Sequence, residues 1–314
     1  MTDDQVTPTD EAPEFRVIGD PGPDAEPQDQ VEEQVHASAT QYGTGRPVVC
    51  LMGEFSAGKS TLSNLLINTS SLPVNVTATQ LPPVWMSKGD ETPYRVDLDG
   101  REHEIDLDRL EDVSVHDTSH IRVFHDAELL DKCDLVDMPG ISDPNMDADV
   151  WQRIIPHADA VLWCTHATQA WRQSEAAVWS MLPKELYPHS YLLLTRMDKI
   201  LSDRDRVRVI KRVAKETNGL FKDLFPISLT QALASANDPE GFEASGAGPL
   251  TSELDALIES IAEYKEATAA AEEEARRPVE PVAPTRIRPK KLAAREGVRT
   301  RPQPGSLEAG TLRL

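Results

Sequence analysis

The stretch Pro47-Val48-Val49-Cys50-Leu51-Met52-Gly53-Glu54-Phe55-Ser56-Ala57-Gly58-Lys59-Ser60-Thr61 decides the fold. Its first six residues are apolar throughout and read as a buried strand. Gly53 to Thr61 fit the pattern G-x-x-x-x-G-K-[ST] at every fixed position. Thr61-Leu62-Ser63-Asn64-Leu65-Leu66-Ile67 reads as the first turns of a helix. In that strand–loop–helix setting, Gly53 and Gly58 let the backbone curl around phosphate with no Cβ in the way. The loop N–H groups and the helix N-terminus point at the anion. Lys59 can reach the β- and γ-phosphates, and the Ser60 hydroxyl can ligate Mg²⁺.

Working outward, strand-like and helical segments alternate. Val84-Trp85-Met86, Ile121–Phe124, Cys133–Asp137, Ala158–Cys164, Tyr191–Thr195 and Leu224–Ser228 read as strands. Tyr94–Leu98 and Glu102–Ile105 flank Asp99-Gly100, a two-residue hairpin signal. Ser174–Leu182 and Asp203–Asn218 read as helices, the second capped by Gly219. Leu250, Leu254, Leu257, Ile258 and Ile261 repeat at helical spacing and predict an amphipathic helix over 250–265. The fold class expected is α/β, a P-loop domain with a mostly parallel central sheet flanked by helices. Residues 1–28 are acidic and rich in Pro, and are expected to be disordered. The folded domain is expected over 29–268, opening with a short helix at 29–42, and a disordered basic, Pro-rich tail over 269–314.

Charge and cysteines narrow the setting. The chain of 314 residues has a formal net charge of −21, which argues against a general nucleic-acid binder. Residues 1–35 hold eleven acids against one base, and residues 276–314 hold ten bases against three acids. The simplest reading is two solvated tails of opposite sign; the sharper one brings the basic tail to anionic lipid, an acidic partner or the N-terminal segment. Cys50, Cys133 and Cys164 are widely spaced in apolar stretches, which suits buried thiols in a reducing compartment. With no leader-like N-terminus and no apolar run long enough to span a bilayer, a cytoplasmic protein is expected, with any membrane contact peripheral at the inner face. The histidines are scattered and form no H-E-x-x-H pattern.

Later segments bear on which nucleotide is bound. Leu135-Val136-Asp137-Met138-Pro139-Gly140 ends a strand with the form D-x-x-G. Asp137 would hold Mg²⁺ through water, and the Gly140 N–H would meet the γ-phosphate. Leu194-Thr195-Arg196-Met197-Asp198-Lys199 resembles the T-K-x-D segment of GTPases, with Arg196 in the Lys place. A carboxylate at Asp198 accepts two hydrogen bonds from guanine N1–H and N2–H₂, a donor pair adenine lacks. Ser228, after Phe225-Pro226-Ile227, stands where GTPases place a last base-contacting loop. Trp171-Arg172-Gln173-Ser174 lies past the strand ending near Cys164; packing is the default for Trp171 and Trp179, and Arg172 is a candidate charge stabiliser in cis or in trans.

Taken in order, four motifs resemble those of the dynamin superfamily, especially its bacterial dynamin-like members. They are Gly53 to Thr61, Leu72-Pro73-Val74-Asn75-Val76-Thr77-Ala78-Thr79-Gln80 as first switch, Leu135 to Ile141 as second switch, and Thr195 to Asp198. The resemblance covers roughly residues 45–235. It implies hydrolysis of GTP to GDP and phosphate with Mg²⁺. Thr79 is implied as the switch threonine on Mg²⁺, with Thr77 as the second candidate. Ser56 is implied at a site for a monovalent cation, K⁺ or Na⁺. Lys59, Thr79 and Ser56 are thus the catalytic candidates; Ser60, Thr79 and Asp137 are the metal candidates. The nucleotide-binding candidates are Gly53, Glu54, Phe55, Ser56, Ala57, Gly58, Lys59, Ser60, Thr61, Gly140, Thr195, Arg196, Asp198 and Ser228. Activation by homodimerisation across the nucleotide face is implied, as is assembly at a membrane or with a stalk-bearing partner. Phe55 and Ile141 stand where related GTPases place a water-positioning Gln. A translation or ribosome-assembly GTPase, or a GTP-gated scaffold without hydrolysis, are the other readings.

Overall fold

The computed structural model describes residues 45–67, 81–142 and 149–276. Its strands are β1 (Val48–Gly53), β2 (Val84–Lys88), β3 (Tyr94–Asp97), β4 (Glu102–Glu104), β5 (Thr118–His125), β6 (Asp134–Asp137), β7 (Ala160–His166), β8 (Tyr191–Thr195) and β9 (Asp223–Pro226). Its α-helices are α1 (Lys59–Leu66), α2 (Leu129–Lys132), α3 (Asp149–Gln152), α4 (Gln173–Trp179), α5 (Asp203–Glu216), α6 (Leu229–Ala234), α7 (Pro239–Ala244) and α8 (Ala247–Arg276). The expected helix at 29–42 and the switch threonines Thr77 and Thr79 lie outside the described residues.

Among the described residues the strands form one sheet in the order β4-β3-β5-β2-β6-β1-β7-β8-β9. From β6 to β9 every neighbour is parallel. Beyond β6 the sheet changes character: β2 is antiparallel to β6 and parallel to β5, and β3 is antiparallel to both β5 and β4. The α/β class and largely parallel sheet agree with the sequence reading. Edge strand β4 is Glu102-His103-Glu104, short and charged, which discourages pairing with another chain.

The all-apolar run of β1 has a direct structural reading. Its side chains alternate between two cores, with Val49 and Leu51 on one face of the sheet and Val48, Cys50 and Met52 on the other. A central parallel strand is buried on both faces, so period-two alternation of polarity vanishes. The first core continues into Leu62 of α1 and Leu250, Leu254 and Leu257 of α8. The second is built on Trp163 and Trp179, whose rings meet edge-on at 5.4 Å, with Phe221 stacked on Trp179 at 4.1 Å. All three cysteines are buried and free, and burial pushes the Cys133 and Cys164 thiols up to about 12.

Three local expectations are corrected. The β3–β4 loop holds three residues, Leu98-Asp99-Gly100, not two, because Asp97 pairs with Arg101. Gly100 takes φ +81°, the left-handed residue such a loop needs. The α5 cap is Thr217, and Gly219 with φ +77° turns the chain two residues later. Helix α8 runs to Arg276, past both the expected helix end at 265 and the expected start of the disordered tail at 269. Apolar periodicity stops at Ile261, but the Ala and Glu residues that follow are strong helix formers. Glu272 and Arg276 add an i,i+4 pair at 3.9 Å, and Pro278 follows closely.

The two halves of α8 therefore differ in what they contribute. Leu254 is 1% exposed and Tyr264 is 72% exposed. Leu254→Ala should destabilise the protein by about 2–5 kcal/mol through loss of core contacts. Tyr264→Ala should leave the urea midpoint where it is. Equal effects of the two substitutions in urea unfolding would contradict this division.

Candidate functional site

The strands β1, β6, β7, β8 and β9 all point the same way, so the loops leaving their C-terminal ends gather along one rim. In open α/β sheets that rim is where ligands bind, because loops diverge there and helix N-termini face outward. Here it brings together the phosphate loop after β1, Asp137 at the end of β6 and Gly140 beyond it, Thr195 at the end of β8 with Arg196–Lys199 beyond it, and Ser228 after β9.

The loop itself is fixed by backbone proximity. Gly53 has φ +140°, and a Cβ there would overlap the Cys164 carbonyl oxygen of β7. Gly58, with φ +99°, starts α1 from the left-handed region beside Leu229. Across the site, a Cβ on Gly140 would lie 2.9 Å from Cα and N of Phe55, so the D-x-x-G loop and the phosphate loop touch through their backbones. The Phe55 N–H donates to Ser142 Oγ at 3.1 Å, and the Ile141 N–H to Gly53 O at 3.2 Å. Ala57 is buried, while the Phe55 side chain is 53% exposed and Ser56 holds φ +58°.

The charged groups of the loop are arranged around this frame. Lys59 is buried and donates from Nζ to Gly53 O at 3.3 Å and Glu54 O at 3.0 Å. Burial lowers its pKa, opposed by the negative charge of Asp137. Burial raises the pKa of Asp137, opposed by Lys59 and by a hydrogen bond from Ser60. Asp137 Oδ1 is buried with no hydrogen-bond partner among the described residues. A desolvated carboxylate oxygen beside the Ser60 hydroxyl suits a hard divalent cation with oxygen ligands, so these residues fit Mg²⁺.

The segment after β8 is tied to the same loop. Thr195 is fully buried, and its hydroxyl donates to Ala57 O at 2.7 Å, with Thr165 O at 3.1 Å. Its side chain thus braces the phosphate loop. Arg196, with φ +57°, donates from Nη2 to Ser56 O at 2.8 Å. Asp198 accepts from Ser228 Oγ at 2.9 Å, and Lys199 Nζ lies 3.5 Å from its other oxygen. Burial acts to raise the Asp198 pKa, but Ser228, its own backbone and Lys199 outweigh it and leave it lowered. Ser228 also caps α6 through the Gln231 N–H.

Two features escaped the sequence reading. Arg172 and Ser174 both bond the Glu54 side chain, at 2.9 and 2.7 Å. Ser142, two residues beyond Gly140, bonds the phosphate loop. The available signal for the first was the carboxylate at Glu54, which needs a counter-charge in an anion-binding loop. Thr195→Val keeps shape but removes the donor to Ala57 and Thr165. It should destabilise the protein by about 1–3 kcal/mol in urea unfolding, the cost of buried carbonyls losing a partner; an unchanged midpoint would show that the brace contributes nothing.

Comparison with known proteins follows the same lines. Residues 49–186 match the model of the Dynamin family. Dynamin-like protein 2 of Campylobacter jejuni is 22% identical over 223 residues, 69% of this chain and 36% of that protein. Two solved chains of an oligomerised bacterial dynamin pair, described in terms of long-range sensing and tethering of membranes, superpose with TM-scores of 0.53 and 0.50 at 19% and 18% identity. Each alignment covers 76% of this chain, and 39% and 38% of theirs. This chain thus spans little more than a third of the length of these relatives. Residues 49–186, which contain the strand, loop and helix of the G-x-x-x-x-G-K-[ST] motif, are thus the part of the chain that is similar to the Dynamin family.

Proposed function

We propose that this protein binds GTP with Mg²⁺ and hydrolyses it to GDP and phosphate, and that its turnover rises when two copies associate across the nucleotide face. The observation that carries the reading is the convergence on one rim of the phosphate loop, Asp137, Gly140 and Asp198. Lys59 and the loop N–H groups bind the phosphates, and Lys59 exchanges its two carbonyl partners for phosphate oxygens. Ser60, Asp137 and Thr79 are the groups assigned to Mg²⁺, which supplies charge neutralisation for the β- and γ-phosphates when bound. Asp198, oriented by Ser228, selects guanine. Ser56 is assigned to a monovalent cation, K⁺ or Na⁺. Gly53 to Thr61, Gly140 and Arg196 complete the nucleotide contacts, and the catalytic domain occupies residues 29–268.

Among the described residues no helix is long and apolar enough to cross a membrane. We assign any membrane role to peripheral contact or to a stalk-bearing partner. The relatives described as an oligomerised pair that tethers membranes support self-association at a membrane surface as the output.

GTP hydrolysis per molecule, measured across a range of protein concentrations in Na⁺ and in K⁺, tests this reading. Turnover is expected to rise with concentration. Asp198→Asn is expected to weaken GTP binding roughly 10- to 100-fold through loss of a charge-assisted pair. Turnover independent of concentration would remove the dimerisation step. Tight GTP binding with no turnover at any concentration would replace the enzyme with a GTP-gated scaffold, in which Phe55 and Ile141 mark lost hydrolysis.

A further inference from the structure

A carboxylate sits at the second position of the phosphate loop, where its charge opposes the phosphates the loop is built to bind. Glu54 is only 15% exposed in its side chain, and both of its oxygens are occupied. Oε2 accepts from Arg172 Nη1 at 2.9 Å and Oε1 from Ser174 Oγ at 2.7 Å. The backbone of the same residue serves the loop: Glu54 O accepts from Lys59 Nζ at 3.0 Å and from the Ala57 N–H at 3.2 Å. Whatever holds the Glu54 side chain therefore also holds the carbonyl on which Lys59 rests.

The arginine is delivered by a preset turn. Glu175 is 2% exposed and accepts from Trp163 Nε1 at 3.1 Å and Thr165 Oγ1 at 3.0 Å, which anchors it to β7. It also accepts from the Arg172 N–H at 2.8 Å, closing the N-terminal turn of α4. Trp171, with φ +58°, donates its N–H to the same Thr165 hydroxyl at 3.0 Å. Two strained or buried points thus fix Arg172 before its side chain reaches the phosphate loop, far from it in sequence.

We infer that Arg172 is a positioning residue of the nucleotide site: with Ser174 it neutralises and clasps Glu54, so that the loop presents its N–H groups and Lys59 to phosphate with no uncompensated negative charge beside them. The inference rests on the reading of this rim as a nucleotide site. It gives Arg172 a partner in the loop itself, in place of a direct contact with transferring phosphate.

A double-mutant cycle on GDP affinity separates the two roles. The proteins are wild type, Arg172→Ala, Glu54→Gln and the double variant, titrated with Mg²⁺ and GDP. Arg172→Ala is expected to weaken GDP binding by at least about tenfold, because the Glu54 charge in the phosphate loop then loses its counter-charge. In the Glu54→Gln background the same substitution is expected to cost no more than about twofold, since the charge to be neutralised is gone. An equal loss in both backgrounds would overturn the clasp and place Arg172 on the phosphates; no loss in the Glu54 background would also overturn it. Arg172→Gln, which keeps the stem, replaces Arg172→Ala should the latter fail to fold. Amide exchange of residues 53–58 in nucleotide-free protein gives a reading independent of nucleotide. Faster exchange in the Arg172 variant supports the clasp and unchanged exchange overturns it. Wild type that binds no GDP or GTP would sink the functional reading, and the exchange result would then decide the clasp alone.

Discussion

The approach of Gly53 to the Cys164 carbonyl is the constraint on which the rest of the structure depends. It lets the chain leave β1 at the centre of the sheet, hard against β7, and still curl into a loop. Any side chain at that position would push the loop away from β7 and off the rim. The close contact of Gly140 with the Phe55 backbone repeats the device on the β6 side. The phosphate loop is thus held between its two neighbouring strands by main-chain contacts, and the side chains around it are free to act on charge.

Much of this was legible because the signals were local. The continuous apolar run of β1 and the fixed glycines and lysine after it specify strand, loop and helix together. Asp137-Met138-Pro139-Gly140 and Thr195-Arg196-Met197-Asp198 follow strands whose apolar runs are equally plain. What could not be read was pairing across sequence. Nothing local distinguishes Thr195 as a brace for Ala57 from Thr195 as a ligand contact, and nothing local links Glu54 to Arg172. The extension of α8 to Arg276 was missed for another reason: periodicity reports burial, and this part of the helix is exposed. There, intrinsic propensity with an i,i+4 pair at Glu272 and Arg276 carries the helix, a weaker signal than a repeating apolar face.

The buried polar groups show where the sheet is committed to function and where to stability. Glu175 is fully partnered, by Trp163, Thr165 and the Arg172 backbone, and a satisfied buried network fixes geometry. Asp137 is different: Ser60 bonds its carboxyl, yet Oδ1 has no partner among the described residues. The difference between the two carboxylates, one fully partnered and one with an oxygen left unpartnered among the described residues beside Ser60, is what the proposed assignment of Asp137 to Mg²⁺ rests on.

The state of Lys59 connects these arrangements. Its ammonium rests on two carbonyls of the loop it serves, so it is desolvated before any phosphate arrives. A buried cation whose hydrogen bonds go only to carbonyl dipoles, with the charge of Asp137 beside it, is less well compensated than one bonded to a phosphate. In the nucleotide complex proposed above, exchange of those partners for phosphate oxygens would be favoured electrostatically, and the movement needed would be small, because Gly53 and Glu54 lie in the loop that would wrap the phosphates. The braces on that loop — Thr195 to Ala57, Arg196 to Ser56 and the clasp on Glu54 — limit how far the backbone must reorganise when the exchange occurs. On the proposed function, binding would draw on charge that folding has already desolvated, and the ordering of the loop would be supplied by the sheet rather than by the nucleotide.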